Sequence, residues 1–238
     1  MSLSGKRLVI IGGSSGIGLA TAKAAVAQGA SVVIAGRSPE KLQKAGAEIG
    51  GPVEGWPLDV SQEAAVKAFF AQVGPFDHLT TPGSTIRGGP FLSTDTAAAR
   101  ADFDSKFWGQ YLAAKYGAPH ISPGGSIVFF AGIWSQRPAP GYPSVAAVNS
   151  AIEGLARALA GELAPIRVNA VSPGLVDTPI YSGMPEDQRR AVFNAFAAAV
   201  PVKRVGRPEE LAHAVLYLMA NTFTTGSTLY VDGGYTLR

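Results

Sequence analysis

Leu8-Val-Ile-Ile-Gly-Gly-Ser-Ser-Gly-Ile-Gly18 runs an apolar strand straight into a glycine-studded turn and then a helix. Only glycine lets the backbone turn this sharply and approach a pyrophosphate closely. The helix starting near Ile17 then offers unpaired N–H groups, and the positive end of its dipole, to phosphate. A glycine motif alone also fits an ordinary strand–turn–helix corner. Here it opens a longer unit: a helix over 17–28, Gly29 as a stop signal, and a second apolar strand over 31–35. In that context the turn reads as a dinucleotide-phosphate cradle.

Strand-like and helix-like segments alternate outward from this unit. Strands are expected at 53–58, 77–81, 126–131, 166–170 and 227–231, and helices at 62–73, 96–117, 146–162 and 208–219. Pro138-Ala-Pro-Gly-Tyr-Pro143 reads as a loop, because proline breaks a helix interior. Residues 178–200 read as a mobile helical segment interrupted by Pro and Gly. With no interdomain linker and no internal repeat, residues 1–238 form one domain. The alternation predicts an α/β fold, a doubly wound parallel sheet with helices on both faces.

Composition narrows the function classes. Hydrophobic residues make up 47% and charged ones only 16%, which predicts extensive buried surface. The net charge of +3 is spread over scattered basic residues, so a pI near 9.2 does not argue for nucleic acid. There is no cysteine, and His78, His120 and His213 stand far apart, so no metal-ligand spacing exists. Met-Ser-Leu-Ser-Gly-Lys-Arg7 lacks an apolar signal core, and no apolar run approaches about 18 residues. A cytoplasmic protein without a membrane span is the expectation.

Several motifs, in order, resemble the short-chain dehydrogenase/reductase family: Gly12-x-x-x-Gly16-Ile-Gly18, Asp59-Val60, Arg167-Val-Asn-Ala-Val-Ser-Pro-Gly174, Asp177-Thr-Pro179, Gly206-Arg-Pro-Glu209 and Tyr230-Val-Asp-Gly-Gly234. The resemblance implies a single-domain Rossmann fold with a seven-stranded parallel sheet in the order 3-2-1-4-5-6-7. It also implies a nicotinamide cofactor across the strand ends, a lid at 178–200, and a homotetramer or homodimer. It assigns Gly12, Ser14, Ser15, Gly16, Ile17 and Gly18 to the pyrophosphate, and Asp59 and Val60 to the adenine. Pro173, Gly174, Val176 and Thr178 are assigned to the nicotinamide, with Gly83 at the turn after the fourth strand. The carboxylate that selects NAD would lie about 20 residues beyond the glycine turn. That place reads Gly36-Arg37-Ser38, with no acid and with a guanidinium fork suited to a phosphate. NADP(H) is the expected cofactor; the alternative is that Arg37 is only a solvated loop residue.

The family's catalytic set is an Asn, a Ser, and a Tyr-x-x-x-Lys pair. The corresponding positions here hold Lys106, Gly132, Val145 and Asn149, so the Asn and the Lys have traded places. Asn149 has an amide that both donates and accepts, which suits ribose hydroxyls. Lys106 beside a nicotinamide would be partly buried, and burial lowers a lysine pKa toward the range of acid–base work. The expected proton-transfer set is therefore Lys106 with a relocated hydroxyl, Tyr142 or else Ser135. Lys106 paired with a cofactor phosphate, or facing solvent, is the alternative. A literal Tyr111-x-x-x-Lys115 is read as a decoy, since five residues put Lys106 and Tyr111 about 140° apart around an ideal helix. Phe129, Trp134, Tyr142, Val145, Tyr181 and Met184 suggest an apolar or aromatic carbonyl or alcohol as substrate, or else ordinary core. The expected function is an NADP(H)-dependent oxidoreductase of a carbonyl/alcohol pair; the alternative is a non-catalytic NADP(H)-binding sensor or partner subunit.

Overall fold

A computed structural model describes residues 3–237. β1 (Arg7–Ile11) is the short apolar run quoted above, and its side chains alternate between two cores. Val9 and Ile11 face one, Leu8 and Ile10 the other. A strand buried on both faces can be apolar throughout, as parallel strands covered by helices are.

Beside it lie β2 (Ser31–Gly36), β3 (Val53–Pro57), β4 (Phe76–Thr80), β5 (Ile121–Phe130), β6 (Arg167–Pro173) and β7 (Thr228–Val231). All pairings are parallel and the order is β3-β2-β1-β4-β5-β6-β7, as the resemblance implied. The chain reverses its direction of winding between β1 and β4. In open α/β sheets that switch point is where a crevice opens beyond the strand ends.

α1 (Gly16–Ala27) and α2 (Pro39–Ile49) cover one face together with α8 (Pro208–Ala220). α2 has no counterpart among the expected elements, although its start is well marked. Ser38 caps it by accepting from Lys41 N–H, Pro39 fills the first turn, and Glu40 faces the helix dipole. The other face carries α3 (Glu63–Val73), α4 (Thr96–Phe103), α5 (Gly109–Gly117) and α6 (Pro143–Glu162).

Two differences from the expected helices bear on the site. The single helix expected over 96–117 is interrupted by a π-helical turn, Asp104–Trp108, which carries Lys106. Such wide turns are a known way to redirect a side chain out of the regular helical register. α6 begins three residues earlier than expected, with Pro143 in its first turn, where a missing N–H costs nothing. Residues 178–200 contain a short 3-10 turn, Pro179–Tyr181, and α7 (Glu186–Ala199), none of whose residues is fully buried. No helix among the described residues is long and apolar enough to cross a membrane.

Candidate functional site

A cavity of about 1030 Å³ lies at the β1/β4 switch point. Small-molecule pockets span about 300–1,000 Å³. This one stands at the upper end of that range.

The glycine turn forms one end. Gly12 has φ +90, and a Cβ there would stand 2.4 Å from Gly83 Cα, so glycine is required for both conformation and space. Ser15 precedes α1 without capping it through its side chain, and the first turn carries no acid. The helix start is thus left without the two devices that ordinarily satisfy it, and it opens on the cavity. Ser14, Gly16, Ile17, Gly18, Arg37, Ser38, Val60 and Gly83 line the same space. Arg37 reaches across to donate to Thr85 Oγ1 at 3.2 Å. Lys41, in the first turn of α2, also lines the wall and adds a second cation that sequence reading missed. Its signal was its place just inside the helix that Ser38 and Pro39 begin.

Two assigned residues stand apart. Asp59 turns back on its own loop, where its carboxylate accepts from Ser61 N–H at 3.0 Å and lies 2.8 Å from Ser61 Oγ. These bonds hold its pKa below the usual carboxylate range. Val176 is buried among apolar neighbours in the core under α1 and α8. Neither lines the cavity wall. Pro173, Gly174 and Thr178 do line it, Thr178 packing close to Gly16 of the glycine turn.

The other end is built by side chains. The π turn brings Lys106 into the interior, where its Nζ donates to Ala131 O at 2.7 Å and to Asn149 Oδ1 at 2.6 Å. Gln110 locks this turn to the sheet. Its Nε2 donates to Lys106 O and Phe130 O, and its Oε1 accepts from Phe130 N–H and Thr81 Oγ1. Burial pushes the Lys106 ammonium down to about 7, with nearby Asp102 opposing the shift. Asp102 itself accepts from Arg87 N–H and Gly88 N–H and bonds Ser144 Oγ, which ties the 84–95 loop to α6. Lys106, Gly132, Val145 and Asn149, the four positions singled out by the resemblance, all line the cavity.

The two relocated hydroxyls do not join them. Ser135 Oγ lies 2.5 Å from Glu153 Oε1 and 3.0 Å from Gly132 O, in a network that also holds Gln136 and Tyr230. That carboxylate, together with burial, pushes the Tyr230 phenol up to about 12. Tyr142 stacks on Trp134 with ring centroids 4.3 Å apart and is 38% exposed. Neither Ser135 nor Tyr142 lines the cavity.

Of the residues expected to shape a substrate site, Trp134, Val145 and Tyr181 line the wall. Phe129 belongs to the core between the sheet and α6, and Met184 stands off the wall. Ile180, Val192 and Phe196 complete the apolar side from the 178–200 segment. The pair Tyr111 and Lys115 lies elsewhere. Tyr111 packs against Phe107 and Trp108, and exposed Lys115 pairs with Glu63 on α3 at 3.4 Å. The 140° argument assumed regular α geometry, which the π turn interrupts; these contacts place the pair without it.

Comparison with known proteins places this geometry in a group. A family model described as enoyl-(acyl carrier protein) reductase matches residues 12–236. The short-chain dehydrogenase/reductase ATR9 of Stachybotrys chlorohalonatus is 34% identical over 255 residues, covering 100% of this chain and 99% of that one. Cis-4-hydroxycyclohexanecarboxylate dehydrogenase of Sinomonas cyclohexanicum is 34% identical, covering 96% of this chain and 95% of its own. A small-chain dehydrogenase solved in complex with NADPH is 38% identical, with a TM-score of 0.87 over 98% of this chain and 99% of that one. By sheet order, glycine cradle and similarity along its whole length, the chain belongs to the short-chain dehydrogenase/reductase family of oxidoreductases.

Proposed function

We propose that this protein is an NADP(H)-dependent oxidoreductase acting on a carbonyl/alcohol pair, with Lys106 as its proton-transfer group. The observation that carries the reading is the continuity of one cavity. Its wall runs from Arg37 and Lys41, along the glycine turn, to Lys106 and then to the apolar surface of Trp134, Val145 and Tyr181. An anionic dinucleotide fits the first part and an apolar or aromatic carbonyl the last.

Gly12, Ser14, Ser15, Gly16, Ile17, Gly18 and Val60 would hold the dinucleotide, together with Gly83, Pro173, Gly174 and Thr178. Arg37, Ser38 and Lys41 would take the 2′-phosphate. When bound, the reduced cofactor supplies a hydride to the carbonyl carbon. Lys106 supplies the proton to the oxygen, so the carbonyl leaves as the alcohol. An ammonium carries three N–H donors. Two of them are engaged by Ala131 O and Asn149 Oδ1, which leaves one for the substrate. After giving up that proton the neutral amine keeps both protein contacts. A pKa of about 7 suits a group that must release and regain a proton near neutrality. The relative solved with NADPH supports the cofactor, and the relative that oxidises a cyclic alcohol supports the substrate class.

A second reading has one specific observation behind it. Val145 occupies the wall where the family pattern has a tyrosine, and among the described residues no phenol hydrogen-bonds Lys106. A protein that holds NADP(H) as a sensor or partner subunit would need none. The two readings separate in one experiment: titrate NADPH and NADH by protein fluorescence, then follow NADPH oxidation over a panel of cyclic and aryl ketones and quinones. Tighter NADPH binding with turnover of at least one carbonyl is expected. Tight binding with no turnover would favour the sensor, and preference for NADH would refute the cofactor assignment.

A further inference from the structure

We infer that Asn149 takes over the task of a hydroxyl at residue 132: its amide Nδ2 donates a hydrogen bond to the substrate oxygen, held in that orientation by Lys106. The inference rests on the proposed carbonyl chemistry and names a residue that touches the reacting atoms.

The orientation of the amide follows from its neighbour. Lys106 Nζ stands 2.6 Å from one end of the Asn149 amide, and an ammonium can only donate. That end must be the oxygen. The opposite end is therefore the NH2 group, an assignment set by hydrogen-bond chemistry. Among the described residues this nitrogen donates to no protein atom, and it is not one of the sealed, unpartnered polar atoms. Asn149 as a residue is only 2% exposed, and what it shows, it shows to the cavity. A buried amide nitrogen with no acceptor costs free energy unless water or a ligand supplies one. A carbonyl oxygen is such an acceptor.

The place of this nitrogen is equally informative. Gly132 has φ 169 and ψ 151, extended backbone that any residue adopts, so conformation does not require glycine there. What a side chain there would meet is the amide: a Cβ on Gly132 would lie 2.7 Å from Asn149 Nδ2, so one of the two must shift. The amide thus fills the room a side chain at 132 would use, and a donor reaches that spot from α6 instead of from the end of β5. Lys106, Gly132 and Asn149 are in this sense one substitution. The ammonium orients the amide, and the glycine makes room for it. Lys106 is a positioning residue toward Asn149, while its own free N–H serves the proton transfer.

The test uses the full chain with NADPH and 9,10-phenanthrenequinone, a diketone with exposed carbonyl oxygens. Asn149→Asp keeps the shape and the Lys106 contact but removes the donor. Its kcat is expected to fall roughly 10²–10³-fold, as for loss of one oxyanion donor, with KM changing far less. The infrared carbonyl stretch of the quinone bound with NADP+ should lie at lower frequency in the wild type than in Asn149→Asp, because only the former adds an amide donor to that of Lys106. Rescue is the sharper arm. Asn149→Ala frees the space, so Gly132→Ser combined with it restores a hydroxyl at the same spot and should recover at least about tenfold of the lost kcat. Gly132→Ser alone should lower kcat, since its Cβ displaces the amide. A stable Asn149→Asp protein with wild-type kcat and an unshifted stretch would overturn the inference while leaving the carbonyl reading intact. A double variant no better than Asn149→Ala would do the same. A wild type that binds NADPH yet never oxidises it would overturn the carbonyl reading, and this inference with it.

Discussion

The two ends of the cavity are built by different means. At the glycine turn the wall is backbone, and its fit depends on atoms that are missing: Gly12 and Gly83 approach so closely that neither can carry a side chain. At the Lys106 end the wall is side chain, and its fit depends on three residues suiting one another. A backbone cradle tolerates little change, because each glycine answers to geometry alone. A side-chain cluster can exchange its members, provided they change together. Against the family pattern that the resemblance implies, lysine for asparagine, glycine for serine and asparagine for lysine each look like a loss when taken alone. Taken together they form a hydrogen-bonded set with a free donor.

The comparison breaks most readily at Lys106. Lys106→Ala removes the proton donor and the contact that orients Asn149, so turnover should fall roughly 10²–10⁴-fold. NADPH affinity, measured by fluorescence titration, should fall far less. Comparable losses in both would mean that the two ends are not separable. The pH profile carries the same information. With Lys106 near 7, reduction should be fastest below that pH and decline about tenfold per unit above it. Its stability effect has the opposite slope. Between about pH 7 and the ordinary lysine value of 10.5, the unfolded chain holds a proton that the folded chain does not, so stability rises with pH through that window. Denaturant midpoints for Lys106→Met should lack that rise.

At the cradle the expected effects are smaller and reach stability first. Gly12→Ala puts a methyl 2.4 Å from Gly83 Cα at a φ of +90, and neither backbone can yield cheaply. A loss of about 2–3 kcal/mol in urea unfolding is expected, with dinucleotide affinity falling alongside. A normal midpoint would show the cradle to be looser than its geometry. Arg37→Ala tests only the phosphate end. It should weaken NADPH by roughly tenfold or more, leave NADH unchanged, and do so less at high salt. Equal loss for both cofactors would remove Arg37 from the 2′-phosphate and leave Lys41 as the cation there.

What could be read in advance follows the same division. The parallel, helix-covered sheet and the glycine turn were legible because strand–helix alternation and glycine spacing are local signals, while the strand order came with the family resemblance. α2 was not expected although Ser38 and Pro39 mark its start, because it buries only Leu42 and Ala45 and so carries a thin apolar stripe. The π turn at Asp104–Trp108 has no sequence signal of its own; it is held by Gln110 bonding across to β5 and β4, a tertiary cause. Lys106 and Asn149 were legible as a trade of residue types. Their contact was not, because it joins positions 43 residues apart on facing helices. Ser135 stands three residues from Gly132 along the chain, while Glu153 and Tyr230, which hold its surroundings, come from α6 and β7.

The smallest expected effect makes the sharpest use of this lesson. Tyr111 and Lys115 reproduce the family's Tyr-x-x-x-Lys spacing letter for letter, whereas Val145 and Asn149 reproduce only its place. If spacing determined chemistry, the first pair would matter and the second would not. The structure puts Tyr111 against Phe107 and Trp108, and Lys115 in an exposed pair with Glu63, outside the cavity. An exposed pair of this kind contributes little to stability and is screened by salt. Tyr111→Phe combined with Lys115→Ala should therefore leave turnover, the pH profile and NADPH affinity at wild-type values. A tenfold drop in turnover with the fold intact would move the chemistry to the α3–α5 face. It would also show that the literal motif, and not the Lys106 end of the cavity, carries the reaction.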